Sequence, residues 1–270
     1  MPNRLRRMIT AALTLAAGLY LALLAAGCLG YRAVLFPAPR SGGVIAPRGA
    51  TLREIRSKDG VVMPAVHFPA PAGAPTIVHF HGNGETLQSE LSLGVELHRR
   101  ELGVLLVEYR GYGSAPGAPS EEAFYLDAEA ALDLLEADGV GRDRVVLSGI
   151  SLGTGVAAEM AARGRGARLV LIAPYTSIPR LAGRIAPFLP ASVIVRDRFD
   201  TLSKADRLRV PTLIIHGDRD EIIPFDMGQA LAGAITGAKL VTVAGGHHND
   251  LFALHRDLVG VIAAHANGPR

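Results

Sequence analysis

The sequence predicts an α/β fold: an eight-stranded, mostly parallel sheet with helices on both faces and a small cap. Three observations predict it. Short β-branched and apolar segments alternate with helical ones along most of the chain, which implies a buried parallel sheet. A chain of 270 residues, 49% hydrophobic and 20% charged, suits one large domain with an ample core. Finally, Gly149-Ile150-Ser151-Leu152-Gly153 joins a strand-like segment to an alanine-rich helical one. That junction falls at the end of a strand, where parallel sheets place their sites.

Residues 1–30 read as a signal peptide or membrane anchor. Arg4, Arg6 and Arg7 precede an uncharged apolar run from Met8 to about Gly30, close to the roughly 20 residues that span a bilayer. Basic residues ahead of such a run keep the N-terminus cytoplasmic and place the body outside. The run ends in Leu24-Ala25-Ala26-Gly27-Cys28, which resembles a bacterial lipobox, so Cys28 is a lipidation candidate. The alternative is a small apolar Cys within a transmembrane helix. Either way the body is exported and held at the cell membrane. A single cysteine excludes internal disulfides. The basic balance is confined to this segment. Without those three arginines the 28 basic residues fall to 25, matching the 25 acidic ones. Nothing then favours nucleic-acid binding.

Residues 31–50, rich in Pro and Gly, read as a linker, and 51–270 as the folded domain. Its expected strands are Leu52–Ser57, Val61–His67, Thr76–Phe80, Val104–Tyr109, Val145–Ser148, Leu169–Ala173, Thr212–His216 and Leu240–Ala244. Lys58-Asp59-Gly60 between the first two is a hairpin signal. Helical segments are expected at Leu87–Glu101, Ser120–Ala137, Leu152–Arg163, Phe225–Ala234 and Asp250–Ala264. The excursion 174–209, with Pro179, Pro187 and Pro190 and the apolar Ile185, Phe188, Leu189, Val193, Ile194 and Val195, is longer than a simple crossover needs. It reads as the cap, sitting above the site.

The chemistry centres on Ser151. Glycine two residues to either side lets a tight strand-to-helix turn form and leaves the serine oxygen projecting at a helix N-terminus. A serine hydroxyl needs a base, and the base needs an orienting group. Two strand ends supply candidates: Asp218 and Asp220 after Thr212–His216, and His247 and His248 after Leu240–Ala244. His79, His98, His255 and His265 fit core or solvated positions better. Backbone N–H groups must also meet the oxyanion. Leu152, next to the serine, and Asn83, in the loop after the third strand, are the candidate donors.

The chain resembles the α/β-hydrolase superfamily, whose triads run Ser…Asp…His in chain order. The resemblance covers about Tyr31 to the C-terminus. It is closest to membrane-associated α/β-hydrolase-domain proteins, among them palmitoyl-protein thioesterases, and to serine aminopeptidase-like bacterial relatives. The stretches that carry it are His79-Phe80-His81-Gly82-Asn83, Tyr109-Arg110-Gly111-Tyr112-Gly113, Gly149-Ile150-Ser151-Leu152-Gly153, His216-Gly217-Asp218-Arg219-Asp220 and His248-Asn249-Asp250. It implies an α/β-hydrolase fold, with Asp220 as the acid and His248 as the base. Two departures stand out: Glu108 where aspartate is usual, and Gly84-Glu85 in place of small uncharged residues. Glu85 reads as the start of a helix, where a carboxylate favours the dipole.

The expected function is a membrane-tethered serine hydrolase acting on small-molecule or lipid-like acyl esters or thioesters. An amidase or peptidase of the same fold is the alternative, and a non-catalytic binding protein a more distant one. No metal or organic cofactor is implied, and the sequence does not specify an oligomeric state.

Overall fold

The computed structural model describes residues 2–255 and 257–268. Residue 256, inside the last expected helix, and residues 1, 269 and 270, at the ends of the expected anchor and domain, lie outside the described residues.

Eight strands form one sheet: β1 Thr51–Arg56, β2 Val62–Phe68, β3 Thr76–Phe80, β4 Gly103–Val107, β5 Val145–Ile150, β6 Arg168–Ile172, β7 Thr212–Gly217 and β8 Lys239–Val243. Their order is β1-β2-β4-β3-β5-β6-β7-β8. β1, β2 and β4 pair antiparallel, and every later pairing is parallel. The sheet is buried on both faces because successive strand residues point to opposite layers. Val78, Phe80, Leu147, Leu169 and Leu171 face one core layer. Ile77, Val146, Val170 and Ile172 face the other.

The helices cover those two faces. α3 (Glu121–Ala137), α4 (Gly153–Ala162) and α7 (Phe225–Ala234) pack on the first. α2 (Leu91–His98), α8 (Leu251–Leu254) and α9 (Leu258–Ala266) pack on the second. α3 starts at Ser120, whose hydroxyl accepts the Ala123 N–H, an ordinary N-cap.

Two helices differ from expectation. α2 begins four residues late, because the Leu87 N–H is taken by Glu108 Oε2 and the Thr86 N–H by Ser89 Oγ. The last helix divides into α8 and α9, because Asp257 accepts the Gly260 N–H and caps a new start.

The N-terminal segment departs more. α1 runs Pro2–Leu35, five residues into the stretch read as linker. Phe36, just beyond it, is buried, with its ring 5.5 Å from Phe124 and 6.4 Å from Phe199. An aromatic ring gains more by filling this core than a surface linker could offer it. The 174–209 excursion forms α5 (Ile178–Ile185) and α6 (Ala191–Ile194), then a 3-10 turn at Leu202–Arg207. Tyr31 and Arg32 of α1 donate to the buried Asp197 of this segment, at 2.6 and 2.7 Å. Glu121 of α3 accepts the Arg198 and Phe199 N–H groups. The excursion is therefore tied to α1 and α3.

Candidate active site

Ser151 sits between β5 and α4 with φ +49°, a left-handed conformation that costs energy for a non-glycine residue. Its N–H donates to Ile172 O at 2.9 Å. The flanking glycines are required by backbone proximity. A Cβ on Gly149 would overlap the Gly153 carbonyl, and one on Gly153 would overlap the carbonyl of Phe80 at the end of β3.

Three residues distant in sequence meet here. His248 Nε2 lies 3.0 Å from Ser151 Oγ, and His248 Nδ1 lies 2.7 Å from Asp220 Oδ2. With Nδ1–H donating to the carboxylate, Nε2 is left to accept the serine proton. Asp220 is buried, and its Oδ1 accepts N–H bonds from Ile222 and Ile223 at 2.9 and 2.8 Å. Burial alone would raise its pKa. Hydrogen bonds from His216, His248 and the Ile223 N–H outweigh that and hold the carboxyl well below the usual carboxylate range. Of the paired candidates, Asp218 faces away and accepts the Gly245 N–H, while His247 pairs with the exposed Glu221.

His216 is a residue that sequence reasoning missed. Its Nε2 lies 2.9 Å from Ile223 O and 3.3 Å from Asp220 Oδ2, so it braces the acid from below. Its place four residues before Asp220, at the strand end, was the available signal.

The Asn83 and Leu152 N–H groups lie on the two loops that flank Ser151. Neither has a hydrogen-bond partner among the described residues. The Asn83 side chain is a clamp: its Nδ2 donates to Leu35 O at 2.6 Å, and its Oδ1 accepts from Tyr112 OH at 2.7 Å. Under the same loop the buried His81 places Nε2 2.9 Å from Glu108 Oε1 and Nδ1 2.8 Å from Gly82 O. Tyr109 OH donates to His81 O at 3.1 Å. Arg110 joins Asp127 of α3 to Asp59 of the β1–β2 turn, fixing the segment that carries both tyrosines. Thus Tyr109-Arg110-Gly111-Tyr112-Gly113 braces the loop that carries Asn83, a contact its sequence did not disclose.

Glu85 does not start a helix, since α2 begins at Leu91. Its carboxylate turns back to accept the Gly82 N–H at 2.5 Å. Burial pushes its pKa up, and the charge of Glu90 adds to the effect.

Beside Ser151 opens a groove of about 950 Å³. Ile150, Ile222, Leu251, Phe252, Leu258 and Val259 supply its apolar lining; Glu85, Glu90 and Glu96 supply carboxylates. None of its described lining residues comes from 174–209. Among the described residues no group of three or more His, Cys, Asp or Glu could hold a metal ion.

The profile of the family described as "Serine aminopeptidase, S33" matches residues 72–199. An uncharacterized protein of Mycobacterium tuberculosis is 33% identical over 218 residues, 79% of this chain and 77% of that one. The chain belongs to the α/β-hydrolase superfamily. Within it, the α/β hydrolase domain-containing protein aho-3 of Caenorhabditis elegans is 34% identical over 189 residues, 68% of this chain and 55% of that one. The Pyrococcus furiosus esterase Pf2001 shares the hydrolase fold at a TM-score of 0.69 and 17% identity, over 83% of this chain and 96% of that one.

Proposed function

We propose that this hydrolase is a membrane-tethered serine enzyme that cleaves acyl esters or thioesters. The observation that carries the reading is the unbroken chain from Ser151 Oγ through His248 to the ionised Asp220. Ser151 attacks the acyl carbonyl as His248 takes its proton. The Leu152 and Asn83 N–H groups receive the developing oxyanion, and His248 protonates the leaving group. Water, activated by the same imidazole, then cleaves the acyl-enzyme. Asp220 holds the tautomer and stabilises the imidazolium.

The apolar wall of the groove suits an acyl chain. The family description favours a second reading, cleavage of an amide. Both chemistries need the same residues, so the leaving group decides between them. A fluorophosphonate probe should label the wild type and leave Ser151→Ala unlabelled; an unlabelled wild type would sink the reading. Ester, thioester and anilide versions of one acyl group, compared by kcat/KM, should rank the anilide last. An anilide ranked first would make it an amidase.

The tether is α1. Residues Asn3–Leu35 contain an 18-residue window of mean hydropathy 2.1, none of it buried in the domain. Cys28 stands at the outer end of the apolar run, where a bacterial lipid anchor would attach. Intact mass after membrane extraction separates the two tethers: an N-terminus at Cys28 with added acyl mass means lipidation, and an uncleaved chain means a spanning helix.

A further inference from the structure

Resting on the tether reading above, we propose that the tip of the 174–209 excursion, Ile185–Val193, is seated in the outer leaflet of the bilayer that holds α1. The tip exposes Ile185 (74%), Phe188 (68%) and Val193 (69%), an apolar cluster of the kind that marks contact with a membrane or partner. It lies against α1. Tyr20 OH donates to Phe188 O, and the methyl carbons of Ile194 stand 3.4 Å from where a Cβ on Gly27 would be.

Those two contacts set the depth. A span of about 20 residues beginning at Met8 ends near Gly27. Ile194, beside Gly27, then marks the surface. Phe188, beside Tyr20, lies seven residues of helix deeper, roughly 10 Å at 1.5 Å per residue. Segments that lie in the membrane interface insert to about that depth.

Much of the tip's backbone is satisfied internally, although the N–H groups of Phe188 and Ser192 have no partner among the described residues. Hydrocarbon offers no partner for N–H or C=O groups. Pro187 and Pro190 have no N–H. Those of Ala186, Leu189, Ala191 and Val193 donate to carbonyls of the same segment, and the Phe188 carbonyl takes the Tyr20 hydroxyl. The charge pattern agrees. From Ile178 to Arg196 the sequence holds Arg180, Arg184 and Arg196 and no acidic residue; all three are exposed, and Arg184 is paired with Asp226, leaving Arg180 and Arg196 to meet headgroups. Cations that flank an apolar tip favour anionic headgroups.

The consequence reaches the site. Leu35, whose carbonyl holds Asn83, is eight residues beyond Gly27, so the groove opens close above the membrane surface. Acyl substrates dissolved in the outer leaflet would meet Ser151 without crossing much water.

Depth-dependent quenching tests this. In the full chain, Cys28→Ser removes the native thiol, and Phe188→Cys, Val193→Cys and Leu52→Cys each introduce one site for an environment-sensitive fluorophore. Leu52 is exposed on β1. The proteins are reconstituted into phosphatidylcholine vesicles with and without bromine on the acyl chains. Flotation reads the tether, and quenching reads the tip. The proposal expects floating protein with blue-shifted, bromine-quenched emission at 188 and 193 and none at 52. Floating protein with unquenched 188 and 193 labels overturns it and leaves the tether intact; blue-shifted but unquenched labels would mean burial against protein. Equal quenching at 52 also overturns it. Failure to float removes the tether reading, and this proposal with it.

Discussion

The proposed acid–base side of the site and the proposed oxyanion side are supported in different ways. Asp220 and His248 leave the carboxyl ends of the neighbouring parallel strands β7 and β8. Their supports, His216 and the Ile222 and Ile223 N–H groups, lie within four residues of Asp220. The oxyanion loop instead rests on groups from far along the chain: Leu35 O, Tyr112 OH and Glu108. One half is secured by the sheet and by local turns. The other depends on how the end of α1 and the loop after β4 dock. We therefore expect the acid–base half to survive damage elsewhere, and the oxyanion half to respond to the N-terminal segment.

The largest expected effect lies on the acid–base side. Ser151→Ala should lower kcat by a factor of about 10⁴ to 10⁶, with thermal stability nearly unchanged. Asp220→Asn should lower kcat by about 10⁴ while KM moves little. Its pH dependence has a defined sign. A carboxyl whose folded pKa is depressed contributes stability above its unfolded pKa, about 3.9, and loses it as pH falls through the folded value. The melting-temperature deficit of Asp220→Asn should therefore be full at neutral pH and shrink below about pH 4. A deficit that does not depend on pH would mean the carboxylate is not held as described.

The oxyanion side should yield smaller, separable losses. A chain beginning at Phe36 lacks the Leu35 carbonyl, whereas one beginning at Cys28 keeps it. The shorter chain loses the Leu35 bond to Asn83 together with the Tyr31 and Arg32 bonds to Asp197; at about 0.5–1.5 kcal/mol per bond, kcat should fall by about tenfold or more, with some loss of stability. KM for a soluble ester should hardly move, and the Cys28 start should behave as the full chain. Equal activity of the two would break the contrast between the halves. Tyr112→Phe releases only the other end of the clamp and should lower kcat by a few-fold at most. The smallest effect belongs to Glu85. Its raised pKa means the folded state disfavours its charge, so that it destabilises increasingly as pH rises through its folded pKa. Glu85→Gln should raise stability at neutral pH by under about 1 kcal/mol, and the gain should vanish in acid. A gain that persisted at low pH would point to packing rather than charge.

How much was legible follows the same division. Ser151, Asp220 and His248, which the structure brings into hydrogen-bonding distance, were suggested by local chemistry at strand ends: flanking glycines, a polar turn after an apolar run, a Gly-Gly loop. The central strands β3 to β7 were legible because buried strands are short continuous apolar runs, and the antiparallel β1–β2 pair because a Lys58-Asp59-Gly60 turn joins its two strands. The role of Glu108 was not, since its partners His81 and the Leu87 N–H are brought to it only when β3 and β4 pair. Glu85 was misread for a related reason. A carboxylate near a helix start looks alike whether it faces the dipole or turns back to Gly82.

By itself the sequence determined which residues could do chemistry and in what order the strands carrying them occur, because hydrophobic periodicity and turn chemistry are local. It also determined that residues 8–30 need an apolar environment. The tertiary structure alone decided where that segment ends and what it touches. Leu35 meets Asn83, and Tyr20 of α1 meets Phe188 of the excursion. These are contacts between residues 48 and 168 positions apart. Such pairings are set by how the whole core packs, which no window of sequence contains.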